Sequence, residues 1–170
     1  MTGENSNWVC AVKVATVWTE PASAREVDRP GISNPVQLVE WLEALPYKER
    51  LALCDENRVQ TQLLYGEPVI VDEIKDDWAK IVAIWQPSKK DKRGYPGWVP
   101  LAQLKETYEV ENKGVVQVKG TKAQLWDTEE KPLLILPFNT ILPVLAETEG
   151  YYRVQVSHGE GLLRKENVDF

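Results

Sequence analysis

The sequence has few of the residues that enzymes use as nucleophiles, general bases and metal ligands. It contains one histidine, His158, and two cysteines, Cys10 and Cys54, in 170 residues. No motif brings either cysteine to the histidine, and no serine lies in a nucleophile elbow. Neither a metal-ligand spacing nor a phosphate-binding glycine loop is present. We therefore expect no catalysis by this chain alone, and no cofactor or metal.

The two cysteines lie far apart in the sequence, and neither belongs to a CxxC pair. Both lie among apolar residues, where a free cysteine behaves as a small hydrophobic side chain. This pattern predicts that the thiols of Cys10 and Cys54 are reduced and buried, with no disulfide between them.

The chain has no excess of basic charge. Its 20 Lys and Arg against 26 Asp and Glu give a net charge of −6, which argues against a nucleic-acid partner. Four basic residues do cluster between positions 89 and 93, but Asp91 interrupts them. We interpret this cluster as a solvated loop formed by Lys89, Lys90, Lys92 and Arg93.

Long apolar runs are also missing. No stretch reaches the roughly 18 apolar residues that a membrane-spanning helix needs. Residues 1–6 lack the basic and apolar regions of a signal peptide. We therefore expect a cytoplasmic location and no membrane partner.

A valine-rich stretch at residues 8–18 predicts a first strand, and a helical pattern follows after a loop. Asn34 can cap a helix and Pro35 suits its first position. Apolar residues then recur with helical spacing, at positions 38, 41, 42 and 45. Pro46 ends this helix and opens a second one, in which Leu51 and Cys54 are expected to face inward.

The second half of the chain repeats a pattern of the first half. Three pairs of apolar residues recur at a constant offset of 73 positions, namely Val69 and Leu142, Val71 and Val144, and Trp78 and Tyr151. Such a repeat indicates two copies of one small β unit. Each copy has about five short strands between Gly and Pro turns, which is typical of a small barrel or sandwich. The predicted domains are residues 8–106 and 107–170.

The first copy carries two additions that the second copy lacks. One is the helical insertion near residues 34–55, and the other is the long loop that ends in Arg-Gly-Tyr-Pro-Gly-Trp-Val-Pro at residues 93–100. Gly94 permits backbone angles that a Cβ forbids, so the loop can hold Tyr95 outward while Trp98 enters a core position. Function is expected in these additions, because loops on a rigid scaffold commonly carry it.

Four segments resemble the amino-terminal region of bacterial γ-D-glutamyl-L-diamino-acid endopeptidases, which recycle cell-wall peptides. They are residues 14–18, 34–36, 60–67 and 93–100, and the resemblance extends over residues 8–168. It implies a mainly β fold of two small SH3-like (SH3b) barrels, the first with the helical insertion. In the family, a papain-like NlpC/P60 domain with Cys-His catalysis follows. That domain is expected to begin shortly after Val168, so this chain is expected to be a non-catalytic module.

The resemblance also implies a binding role for two side chains. In the family, the first SH3b domain closes the end of the peptidase groove that receives the substrate's N-terminal L-alanine. The motif tyrosine corresponds to Tyr95, and a family glutamate corresponds to Gln60. A neutral amide cannot pair with an ammonium as a carboxylate does, although it can accept a hydrogen bond. The implied partners are murein peptides with a free N-terminal L-Ala and an NlpC/P60 domain, either C-terminal or in trans.

Two other functions stay open at this point. The first is an adaptor that binds a protein or a proline-rich peptide, because Leu-Tyr-Gly-Glu at residues 64–67 is superficially similar to the acidic aromatic loop of eukaryotic SH3 domains. The clustered second tyrosine and acidic run are missing, so Tyr65 is predicted to be a core residue. The second is a wall-binding anchor, for which a signal peptide is expected.

Overall fold

The computed structural model of the protein describes residues 7–170, which form two seven-stranded antiparallel sheets. The strands of the first sheet are β1 (Asn7–Cys10), β2 (Val14–Trp18), β3 (Val59–Leu64), β4 (Pro68–Lys75), β5 (Trp78–Ala83), β6 (Tyr95–Pro100) and β7 (Leu104–Thr107). The strands of the second sheet are β8 (Val115–Val118), β9 (Lys122–Trp126), β10 (Pro132–Pro137), β11 (Ile141–Glu147), β12 (Tyr151–Val156), β13 (Gly159–Arg164) and β14 (Val168–Asp169). We call residues 7–107 the first unit and residues 115–170 the second unit; the domain boundary at 106 and 107 stays a prediction.

The two sheets have the same topology. The first runs β3-β2-β6-β5-β4-β1-β7 and the second β10-β9-β13-β12-β11-β8-β14, so each strand of one sheet has its counterpart in the other. Both carry a register shift at the same place, after Val71 in β4 and after Val144 in β11. Gly66 and Asn139, which the offset of 73 aligns, both have positive φ angles of 79° and 72°. The internal repeat predicted from the sequence is therefore present in the structure.

Helices α1 (Arg29–Ile32), α2 (Leu38–Ala44) and α3 (Tyr47–Asp55) lie between β2 and β3. They cover Trp18, which is fully buried against Trp41 with the two ring centroids 6.0 Å apart. Leu45 and Leu53 complete this cluster. The insertion thus extends the hydrophobic core of the first unit beyond its sheet.

A buried ion pair fixes the start of the insertion. Asp28 is fully buried, and its carboxylate accepts hydrogen bonds from Arg25 Nε at 2.9 Å and from Trp41 Nε1 at 3.0 Å. Burial alone raises the pKa of Asp28, but the hydrogen bonds from Arg25 and Trp41 outweigh it and hold the pKa below its usual value. Arg25 also donates to Glu49 on α3 at 2.6 Å, so one guanidinium joins two parts of the insertion.

Tyr65 links the two units. It follows β3 in the first unit, yet its side chain is 2% exposed and packs within the core of the second unit. Its hydroxyl lies 3.0 Å from Ser157 Oγ and accepts a hydrogen bond from the Ser157 backbone N–H at 3.1 Å. A Cβ added to neighbouring Gly66 would lie 2.5 Å from Leu142 Cδ2, so the chain at this turn leaves no space for a side chain. The prediction that Tyr65 is a core residue is correct, but the core belongs to the other unit.

Two of the predicted elements begin or end elsewhere. The strand predicted at residues 8–18 is two strands, because the chain bends at residues 11–13 and β1 pairs with β7 while β2 pairs with β3. Asn34 does not cap α2, which begins at Leu38. Its side-chain amide instead donates to the Ala102 carbonyl at 2.8 Å and ties the insertion to the segment after β6.

Three burial predictions are wrong. Leu51 and Cys54 are exposed, because α3 packs through Leu53. The helix therefore buries a different face from the predicted one, because Leu53 does not share a face with Leu51 and Cys54. On β6, the core position belongs to Val99, which is fully buried, while Trp98 is half-buried on the opposite face. Cys10, in contrast, is fully buried as predicted.

Among the residues described, none of the helices has the length and apolar character needed to span a bilayer. Within residues 7–170 we also find no group of three or more His, Cys, Asp or Glu side chains placed to hold a metal ion.

Candidate functional site

Gln60 lies at a β-bulge, which is the local feature that positions it. Val17 on β2 pairs with Thr61, and the next residue, Trp18, pairs with Val59, so Gln60 on β3 has no partner across the ladder. A bulge inserts one residue into a strand and redirects its side chain away from the regular alternation. The Gln60 side chain is therefore directed by the bulge and not by the packing of the sheet.

Hydrogen bonds fix which way the Gln60 amide points. Its Nε2 donates to Thr19 Oγ1 at 2.7 Å and to Asn57 Oδ1 at 3.2 Å. The Thr19 hydroxyl uses its own proton on the Asn57 backbone carbonyl, so it can only accept from Gln60. The carbonyl oxygen Oε1 of Gln60 consequently faces away from β2, toward β6 and the long loop.

The structure brings the two predicted site residues together. The Tyr95 hydroxyl donates to Gln60 Oε1 at 3.4 Å, although 35 positions separate the residues. The Tyr95 ring is half-buried and packs against the core of the first unit. Its phenol body is thus fixed by packing, and its polar end meets the amide at the bulge.

A third side chain, Lys90, joins this pair. Its Nζ donates to Gln60 Oε1 and lies 5.4 Å from the centroid of the Tyr95 ring, within the range of a cation–π interaction. Lys90 belongs to the basic cluster predicted to be a solvated loop and is exposed, but its contact with Gln60 was not predicted. No motif marks it, since the contact depends on how the loop at residues 86–94 folds back over β3.

Arg93 anchors the loop next to Tyr95. Its guanidinium binds both carboxylate oxygens of Asp72, each at 2.8 Å, and also binds Asp91 at 2.8 Å. The hydrogen bonds from Arg93 lower the pKa of Asp91 to about 2 and also lower the pKa of Asp72. The following residue, Gly94, has a φ of 154°, and a Cβ there would lie 2.2 Å from the Ala83 carbonyl oxygen. The Arg-Gly pair thus sets the direction in which the chain enters β6.

The second unit carries the same positions without the polar groups. The bulge of β10 leaves Leu133 unpaired where β3 has Gln60. The residue that pairs with the last residue of β12 is Gly159, where β6 has Tyr95. The candidate site, which we define as Gln60, Tyr95 and Lys90, therefore exists only in the first unit.

Three groups that could act as a nucleophile or base have partners or burial that the structure defines, and a fourth, Cys54, is exposed on α3. Burial raises the pKa of the Cys10 thiol to about 12, which opposes formation of a thiolate. His158 Nδ1 lies 2.8 Å from Ser157 Oγ, in the short turn between β12 and β13. Burial raises the pKa of Glu67, which binds Gln86 Nε2 at 2.7 Å.

Comparisons with known proteins agree with this architecture. Residues 118–170 match the family model described as the YKFC SH3b2 domain. The chain is 37% identical over 155 residues to a gamma-D-glutamyl-L-lysine dipeptidyl-peptidase of Bacillus subtilis, covering 91% of this chain and 52% of that protein. A protein of the same description from Bacillus cereus is 38% identical over 167 residues, covering 94% and 50%. The crystal structure of an NlpC/P60 family protein from Bacillus cereus has a TM-score of 0.85 at 36% identity, covering 96% of this chain and 56% of that one.

Residues 118–170 thus match an SH3b domain, and the shared topology of the two sheets agrees with an architecture of two SH3b-like units. More particularly, the chain is similar to the SH3b region of the NlpC/P60 gamma-D-glutamyl-L-lysine dipeptidyl-peptidases. The resemblance and the fold class predicted from the sequence are confirmed. The chain spans about half the length of the curated relatives it matches. The binding roles of Tyr95 and Gln60 stay predictions.

Proposed function

We propose that this chain is a non-catalytic substrate-recognition and docking module of a murein-peptide γ-D-glutamyl-L-diamino-acid endopeptidase. In this role the first unit lines the end of the peptidase groove that receives the substrate's N-terminus. The observation that carries the proposal is the contact between the Tyr95 hydroxyl and Gln60 Oε1 at the bulge of β3. It occurs in a chain that is similar to half of a dipeptidyl-peptidase of this specificity.

The chemistry of the site suits binding and not bond cleavage. Tyr95, Gln60 and Lys90 offer a hydroxyl, an amide and an ammonium, none of which is placed as a nucleophile next to a base. Scaffold-mounted polar groups of this kind position a peptide for a reaction that another domain performs. The partners we propose are a murein peptide and an NlpC/P60 catalytic domain. The cytoplasmic location stays a prediction.

Binding can be tested on the chain itself by titrating it, labelled with ¹⁵N, with L-Ala-γ-D-Glu-L-Lys. We expect weak binding with chemical-shift changes centred on Gln60 and Tyr95. A related catalytic domain supplied in trans, or fused after Phe170, is expected to cleave this peptide at a rate that falls in Tyr95→Ala. Tyr47→Ala is the matched control, because Tyr47 is 77% exposed on α3. Equal rates in the two variants, or shifts that avoid Gln60 and Tyr95, contradict the proposal.

A second function, the adaptor, is favoured by an apolar cleft between the two units. The cleft has a volume of about 370 Å³, and Trp85 and Tyr108 on its wall are 50% and 62% exposed. Large exposed aromatic side chains beside a cleft are typical of a protein or peptide interface. In the same NMR titration, a proline-rich peptide is added in place of the murein peptide. Chemical-shift changes at Trp85 and Tyr108 with the proline-rich peptide, and none at any residue with murein peptides, would favour the adaptor function.

A further inference from the structure

Lys90 brings an uncompensated positive charge to the candidate site. Its neighbour in the loop, Arg93, is paired with Asp72 and Asp91. Lys90 Nζ, by contrast, meets only the neutral Gln60 amide and the Tyr95 ring, and it forms no ion pair with any residue in the range 7–170. Among the three side chains of the candidate site, the Lys90 ammonium is therefore the charged group that an entering ligand meets.

The acceptor capacity of Gln60 is already used. A carbonyl oxygen has two lone pairs, and Gln60 Oε1 accepts from both Lys90 Nζ and the Tyr95 hydroxyl. The Gln60 Nε2 group is held by Thr19 and Asn57, so the amide cannot turn without losing these bonds. An incoming ammonium would find neither an anion nor a free lone pair on Gln60. To bind Gln60 Oε1, it would have to displace Lys90 from that oxygen.

We propose that Lys90 is a specificity-determining residue that makes this site select peptides with an acylated N-terminus over peptides with a free ammonium. The inference rests on the proposed function and deepens it. An ammonium has three N–H donors, and Lys90 donates one of them to Gln60 Oε1. The remaining two can donate to the carbonyl oxygen of an acyl group. The positive charge of the Lys90 ammonium repels a positively charged α-amine.

The size of the preference follows from the charge. Two unit charges about 4 Å apart in water-like surroundings repel enough to change a dissociation constant by about fivefold. Removing the charge of Lys90 should abolish the fivefold preference for the acylated peptide. Replacing Gln60 by a carboxylate as well should create a preference for the free amine, because the site then holds a negative charge facing the ligand.

The test measures both peptides on the ¹⁵N-labelled chain, using the amide signals of Gln60 and Tyr95. The ligands are L-Ala-γ-D-Glu-L-Lys and its N-acetyl form. The wild-type protein should bind the N-acetyl form about fivefold more tightly. Lys90→Met should bring the two dissociation constants together, and Lys90→Met with Gln60→Glu should favour the free amine. Lys89→Met is the matched control, because Lys89 is exposed in the same loop and, unlike Lys90, forms neither a hydrogen bond to Gln60 nor a cation–π contact with Tyr95 in the part of the chain described.

The outcomes separate this proposal from the proposed function. Shifts at Gln60 and Tyr95 with equal or tighter binding of the free amine overturn the role of Lys90 and leave the recognition function standing. The same holds if Lys89→Met changes the ratio as much as Lys90→Met does. If neither peptide shifts Gln60 or Tyr95, the recognition function fails and this proposal fails with it. Melting temperatures of all variants, including the partly buried Gln60→Glu, are measured alongside, and unchanged values show that the substitutions leave the fold intact.

Discussion

The contact of Tyr65 with Ser157 should couple the folding of the two units. Tyr65 is 2% exposed, its ring lies in the core of the second unit, and its hydroxyl meets both the Oγ and the backbone N–H of Ser157. Tyr65→Phe keeps the ring but leaves the buried Ser157 N–H without its acceptor. An unsatisfied buried donor costs about 1–3 kcal/mol. Tyr65→Ala also removes the ring, and truncating a buried aromatic costs about 3–5 kcal/mol.

Urea unfolding followed by amide hydrogen exchange measures this coupling for each unit separately. We expect the wild-type chain to lose protection in both units together, and Tyr65→Ala to lose it first in the second unit, where Val154 and Leu163 are reporters in the core. Tyr108→Phe is the control, because Tyr108 is 62% exposed and its hydroxyl substitution should change stability by less than about 0.5 kcal/mol.

A double-mutant cycle isolates the hydroxyl contact. Ser157→Ala removes Oγ but keeps the backbone N–H that donates to Tyr65. The coupling energy between Tyr65→Phe and Ser157→Ala is therefore expected to be about 0.5–1.5 kcal/mol, the net value of one hydrogen bond. A coupling energy of zero, together with a Tyr65→Ala protein that unfolds in one transition at the wild-type midpoint, would refute the reasoning.

Three further predictions concern the candidate site and its support. Gly97→Ala should lower the free energy of unfolding by about 1–3 kcal/mol, because its Cβ would lie 2.4 Å from Val17 Cγ1, whereas Gly120→Ala, with no atom closer than 3.8 Å, should not. Because Arg93 lowers the pKa of Asp91 to about 2, the loop contact should be complete above about pH 4 and lost as the pH falls toward 2; NMR titration of Arg93→Gln should show the Asp91 pKa rise toward its usual value, since the side-chain hydrogen bonds are lost while the backbone N–H of residue 93 still donates. The chain alone should release nothing from L-Ala-γ-D-Glu-L-Lys; cleavage that disappears in Cys54→Ala would contradict this.

The repeat was predictable because it depends on local constraints. Gly97 and Gly161 lie at equivalent places where an added Cβ would collide with β2 or β9, so the sequence must keep glycine in both copies. Val99 and Leu163 then fill the equivalent core positions. Tyr95 and Gln60 were predicted as a pair through resemblance and not through spacing. Nothing in the sequence indicates the bulge that directs Gln60.

The features that the sequence did not predict depend on contacts between distant segments. The short α3 has too few apolar residues to define its buried face, and its docking on Trp41 through Leu53 decides that Cys54 is exposed. Tyr65 has the composition of any core residue, so its insertion into the other unit is visible only when the units are packed together. The Lys90 contact likewise depends on the path of a loop without secondary structure.

The long loop explains why one copy can carry a tyrosine where the other has glycine. In the second unit, β12 and β13 are joined through residues 157 and 158, and Gly159 begins β13 with a φ of 139°, which a side chain rarely adopts. In the first unit, residues 84–94 separate β5 from β6, and Gly94 takes the unusual φ angle one position earlier. Tyr95 can then begin β6 as an extended residue. The added loop thus frees a scaffold position for a side chain, supplies Lys90 beside it and anchors both through Arg93, which places the candidate site in the first unit alone.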